Sequence, residues 1–133
     1  MLTYTTVGGN IATKCGRLFS VMNPVLESVL GSTSATYVLL FLQNYGEGHA
    51  SLISKTFDVS VMGIQRQLRR FEDNGILVSR MVGRSRVFTF NDRIPTVKNL
   101  RMFLAAELEL LPKNATKKYF RQRQRPRRSG KPL

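Results

Sequence analysis

The sequence predicts a mainly α domain with one small two-stranded antiparallel sheet, followed by a further helix. Three observations lead there. Apolar residues recur at helical spacing before Gly75 and again after Pro95; the period changes to two on both sides of Gly83-Arg84-Ser85; and serines precede the helical stretches while glycines close them.

The 133 residues, 42% of them hydrophobic, predict one domain with a modest core. Its longest apolar run, Tyr37 to Leu42, is far short of the roughly 20 residues of a membrane-spanning helix. Residues 1–21 hold no continuous apolar segment before a cleavage site, so no secretory signal is expected. One cysteine, Cys15, makes no internal disulfide and fits a reducing cytoplasm.

Met1 to Val21 is polar and without helical period, and reads as disordered. At Met22 an apolar pattern begins (Val25, Leu26, Val29, Leu30), which offers Met22 as an alternative start of translation. Gly31 closes that short helix, and Ser32 to Ser34 offer caps for the next. Thr33 to Tyr45 is apolar at Val38, Leu39, Phe41 and Leu42, and should be the buried spine; Gly46 and Gly48 end it. His49 to Phe57 makes a short amphipathic helix through Leu52, Ile53 and Phe57, and Asp58-Val59 turns the chain.

Ser60 is then an N-cap, its hydroxyl accepting from a first-turn N–H, and Gly75 a left-handed stop. Between them Ile64, Leu68 and Phe71 form one inward stripe. Met62, Gln65, Arg66, Arg69, Arg70 and Asp73 lie outside it. Ile76 to Val82 and Val87 to Phe90 are the strands of a hairpin, with Phe88 and Phe90 turned to the core and Arg80, Arg84 and Arg86 near the tip. For the first strand, Val78/Val82 and Leu77/Met81 are both open as the inward set.

Two helices joined by such a turn, the second basic on its outer face, make a helix-turn-helix, and the hairpin behind them makes it winged. Ser32 to Asn91 resembles the winged helix-turn-helix repressors of the arsenical-resistance-repressor-like superfamily. The likeness is carried by SLISKTFDVSVMGIQRQLRRFEDNGILVSRMVGRSRVFTFN, where Val59-Ser60, Ile64-Gln65, Leu68, Glu72, Asn74-Gly75-Ile76-Leu77 and Val82-Gly83-Arg84 match the turn, recognition helix, helix end and wing. The resemblance implies a prokaryotic, usually dimeric protein that binds operator DNA.

The chain departs from that pattern in places. Asp58 stands where a glycine is common, and Gly63 replaces a small helix former, at up to about 1 kcal/mol of propensity unless its bare backbone serves a close approach to phosphate. No cysteine pair or His/Asp/Glu cluster accompanies the motif, so neither a metal nor a cofactor is expected. The single histidine, His49, has no nucleophile elbow, Asp-x-Asp pair or phosphate loop beside it, and no catalytic residue is assigned.

After Pro95, Val97, Leu100, Phe103, Leu104, Leu108 and Leu111 fall three and four apart up to Pro112. This apolar face is read as a homodimer interface, because a large exposed apolar patch marks a partner site, with plain core packing as the alternative. Residues 113–133 then carry nine cations and no acid, which leaves twelve cations and eight acids, +4 of the total +13, for residues 1–112. With no apolar stripe, this segment reads as a disordered basic tail on phosphates.

The domain plan is therefore a disordered 1–21, a winged helix-turn-helix at 22–91, a dimerisation helix at 92–112 and a tail at 113–133. The expected function is a sequence-specific regulator of transcription on double-stranded DNA, cytoplasmic and associated with the nucleoid. Ser60 would contact phosphate; Met62, Gln65 and Arg66 would meet base edges; Arg69 would reach backbone or base; and Arg80, Arg84, Ser85 and Arg86 would serve the wing. The alternatives are an architectural, chromatin-like protein with little sequence preference, and RNA binding.

Overall fold

Ser32 and Gly46 bracket the helix on which the other elements are assembled. In the computed structural model, which describes residues 23–121, this helix spans Thr33–Tyr45; we call it α2, after α1 (Pro24–Leu30). Ser32 Oγ accepts from Ala35 N at its start, and Gly46, at φ 89°, closes it. Eight consecutive residues, Ala35 to Leu42, are buried, so α2 is covered on every side. The one polar residue among them, Thr36, donates its hydroxyl to Ser32 O at 2.9 Å, which removes the cost of burying it.

Around this spine lie α3 (Ala50–Phe57), α4 (Val61–Asp73), β1 (Leu77–Val82), β2 (Ser85–Phe90), α5 (Pro95–Leu110) and α6 (Lys113–Tyr119). Ile53 and Phe57 of α3 and Ile64, Leu68 and Phe71 of α4 enter the core, as their spacing predicts. Asp58, between the two helices, sits at φ 55° and ψ 53°. It is the one non-glycine residue with positive φ among the described residues, which explains physically why a glycine suits this turn. Val59 N donates to Ser54 O, and the Ser54 hydroxyl donates to Val59 O, fixing the corner.

The strands pair with Leu77 opposite Phe90, Ser79 opposite Phe88 and Val82 opposite Ser85. This register decides between the two inward sets. Leu77 is buried; Val78 and Val82 are exposed; and Met81, on the inward side, lies too near the tip to be covered. Gly83, at φ 64°, takes the first place in the two-residue turn, as a II′ hairpin requires. Gly48 adds a bridge to the outer edge of β2, exchanging both backbone bonds with Phe88. A Cβ at Gly48 would stand 2.6 Å from Phe41 Cε1, so only glycine fits there.

Two expectations are corrected. The α5 stripe is a core stripe: Val97 and Leu104 are 2% and 0% exposed, and Leu100, Leu108 and Leu111 pack against the core. Of the six residues expected at an interface, Phe103 alone is exposed. The physical reason is α2, which needs cover on the side that α3 and α4 leave open; α5 supplies it. The apolar surface left on α5 is Met102, Phe103 and Leu110.

The second correction concerns residues 113–119, which form α6 and not a disordered tail. Ala115, Tyr119 and Phe120 are buried, and Phe57 packs with Tyr119 and Phe120 at ring-centroid distances of 5.1 and 5.8 Å. The readings of residues 1–21, Cys15 and the Met22 start, and of the tail at 122–133, lie outside the described residues. No single helix among the described residues is long and apolar enough to cross a membrane.

Candidate nucleic-acid interface

The Ser60 hydroxyl accepts from Met62 N at 3.2 Å, as its N-cap position predicts, and the residue is exposed. From this cap α4 presents Met62, Gln65, Arg66, Arg69, Arg70 and Asp73, all exposed, opposite its buried stripe. Gly63 is not on that face. Its nearest neighbour is Ser34 Oγ on α2, 3.4 Å from where a Cβ would lie, so this position faces α2 with room for a methyl group.

An open groove of about 620 Å³ separates α4 from the wing. Gln65, Arg69 and Glu72 line one wall, and Arg84, Ser85 and Arg86 the other, with His49 at the floor's edge. Met62 and Arg66 lie on the far flank of the same ridge, beside Arg70 and Asn74. Gln65, Arg69 and Asp73 border both depressions and form its crest. Of the nine expected contact residues, Gln65, Arg69, Arg84, Ser85 and Arg86 line this groove, Met62 and Arg66 lie on the neighbouring flank, and Ser60 stands at the start of α4.

Arg80 is the ninth, and it is elsewhere. It pairs across the ladder with Val87 and so leaves the hairpin on the face opposite to Arg86 and Phe88. There its Nη2 donates to Glu47 Oε1 at 2.9 Å, an exposed ion pair across 33 residues of sequence.

Three further groups, given no contact role by the sequence, lie at or beside the groove. His49 caps α3, its Nδ1 accepting from Leu52 N at 3.3 Å. Glu72 and Ser79 share a hydrogen bond across the foot of the groove, and Arg86 Nη1 donates to the same serine at 3.0 Å. No periodic signal marks this trio, because Gly75 reverses the chain inside it. Arg70 is turned aside by Gln67 Oε1, 3.0 Å from its Nε, and by the Phe71 ring 4.5 Å below its guanidinium.

Solved structures share this architecture. The AntR antimony-specific transcriptional repressor superposes with a TM-score of 0.50 at 17% identity, covering 80% of this chain and 87% of its own. Sco5413, a MarR family transcriptional regulator from Streptomyces coelicolor, does so with a TM-score of 0.51 at 17% identity, over 82% of this chain and 76% of its own. The fold is a winged helix-turn-helix. A predicted DNA-binding transcriptional regulator from E. coli is similar in the same way, with a TM-score of 0.50 at 13% identity over 73% of this chain and 92% of its own. No protein-family model matches the chain, and no curated protein matches it. Within this winged helix-turn-helix, α3 and α4 are the two helices of the motif, and β1–β2 is the wing.

Proposed function

We propose that this chain is a sequence-specific regulator of transcription that binds double-stranded DNA. The observation that carries the reading is the convergence of Gln65, Arg69, Arg84 and Arg86 on one open groove beside the exposed N-terminal half of α4. A helix of this width fills a major groove, where Gln65 and Arg66 have the geometry to pair bidentately with adenine and guanine edges. Met62 offers an apolar surface to a thymine methyl. Ser60, Arg69, Arg84 and Ser85 have the donors that phosphates take, and such contacts set position without carrying base information. The three solved structures above are described as transcriptional regulators, which supports the same reading.

The reading includes a homodimer formed through the exposed strip of α5, Met102, Phe103 and Leu110, which replaces the buried stripe as the surface offered to a second copy. Two recognition helices then meet half-sites about one helical turn apart.

Selection of duplexes from a random-sequence pool by the full chain tests the proposal. A regulator recovers a common site, preferred over bulk DNA by about 10³ or more at physiological salt. On that site Gln65→Ala and Arg66→Ala each cost about 1–3 kcal/mol and much less on random duplex. A pool that yields no shared site, with tight binding to all duplexes, replaces the regulator with an architectural protein.

A further inference from the structure

The Ser79 hydroxyl lies between two charged side chains and treats them differently. It donates its one proton to Glu72 Oε2 at the end of α4, and it accepts from Arg86 Nη1 at 3.0 Å. With the proton committed to the carboxylate, the oxygen has only lone pairs left, and a guanidinium N–H is the partner that fits them. The carboxylate therefore sets the direction of the whole relay, from Arg86 through Ser79 to Glu72, and its negative charge also favours the cation at the far end. The hairpin register makes this geometry available, since Ser79 stands opposite Phe88 and Arg86 lies two residues before it on the same face.

The opposite face of the hairpin is tied as well. Arg80 reaches past its ladder partner Val87 to Glu47, and Gly48 next to it pairs with Phe88 through the backbone. Ser79 and Glu72 are half-buried, whereas Arg86 is exposed. The hydrogen bond of an exposed arginine adds little to stability. Its consequence is the place where it holds the guanidinium, at the wall of the groove facing Arg69.

We infer that Glu72 and Ser79 are positioning residues for nucleic-acid binding, which hold Arg86 in its contact geometry before the ligand arrives. The inference rests on the DNA-binding reading for its effect on affinity, and on the free protein alone for the order it imposes. A side chain that is already ordered loses less freedom on binding, an advantage of about two- to tenfold in affinity for one long side chain.

The test compares Ser79→Thr with Ser79→Val in the full chain, two residues of nearly the same shape and strand preference that differ in the hydroxyl. Each is made with Arg86 present and with Arg86→Ala, and binding to the duplex recovered by the wild-type chain is measured at one salt concentration. The threonine variant binds about two- to tenfold more tightly than the valine variant when Arg86 is present, and the two are equal when it is absent. In the free protein, side-chain ¹⁵N relaxation finds the Arg86 Nε restrained in the threonine variant and free in the valine variant. Equal affinity of the two variants with Arg86 present, or a difference that persists without it, overturns the inference. A wild-type chain that binds no duplex sinks the DNA-binding reading instead, and the relaxation measurement then still decides whether the relay orders Arg86.

Discussion

Tyr45 Oη donates to the Tyr119 carbonyl at 2.6 Å, and the neighbouring Asn44 Nδ2 donates to the Phe120 carbonyl at 2.8 Å. The end of α2 and the end of α6 are thus joined through the backbone of residues whose rings cover Phe57. Cutting the chain after Pro112 removes that cover. It should destabilise the domain by on the order of 3–5 kcal/mol, as the loss of a large buried aromatic does, measured by denaturant unfolding.

A cut after Arg121 tests the remaining cations on DNA. It removes Arg123, Arg125, Arg127, Arg128 and Lys131, five cations. Each that meets a phosphate contributes about −0.9 to the slope of log affinity against log salt, so the slope flattens by up to roughly 4.5. Selected and random duplexes should weaken by similar factors. Coincident slopes before and after the cut would show that these cations do not touch DNA.

On α5 buried and exposed apolar residues can be separated. Leu104→Glu places a charge at a fully buried position and should unfold the domain. Met102→Glu with Leu110→Glu changes residues that are 66% and 74% exposed, should leave the melting temperature nearly unchanged, and should convert a dimer to monomers in light scattering. A dimer that survives the double change has its interface elsewhere.

Two glycines should respond with opposite sign. Gly48→Ala forces a methyl against Phe41, itself fully buried and unable to give way, and should cost about 1–3 kcal/mol. Gly63→Ala meets only Ser34 Oγ at 3.4 Å and gains helix propensity, so it should stabilise by up to about 1 kcal/mol. Thermal melts of the two variants decide the matter.

Glu27 gives a pH dependence. Burial raises its pKa above the usual carboxylate value, more than the hydrogen bond from Thr33 Oγ1 lowers it. The folded chain then holds this proton more tightly than the unfolded chain. Its contribution is favourable below the unfolded value near 4.5 and is lost as pH rises through the folded value. Glu27→Gln keeps an acceptor for Thr33, so it should raise the melting temperature at neutral pH, by an amount that shrinks as pH falls toward 4. A gain independent of pH would assign the effect to packing.

Much of this fold is legible in the sequence because its boundaries are chemical. Ser32, Ser60, Gly31, Gly46, Gly75 and Gly83 do at the element ends what their side chains, or the lack of one, predict. The α5 stripe was legible as a stripe, but spacing says that a face is covered and not by what; an inner helix apolar on every side creates a demand for cover that no local pattern shows. The α6 segment escaped because three buried residues, Ala115, Tyr119 and Phe120, are scattered among Lys113, Lys117 and Lys118. In the site, the outward row of α4 follows from its period. The separation of Arg80 from Arg86 does not, because it depends on the strand register and on Glu47, 33 residues away.

The closure of α6 over Phe57 also has a meaning in time. Contacts spanning 74 and 76 residues form late, since the chain between them must lose its freedom first. On a ribosome adding about 5–20 residues per second, the 63 residues from Phe57 to Phe120 take roughly 3–13 s. For those seconds the nascent helix-turn-helix shows an uncovered ring face, and its solubility during synthesis depends on how soon the last turn of α6 arrives.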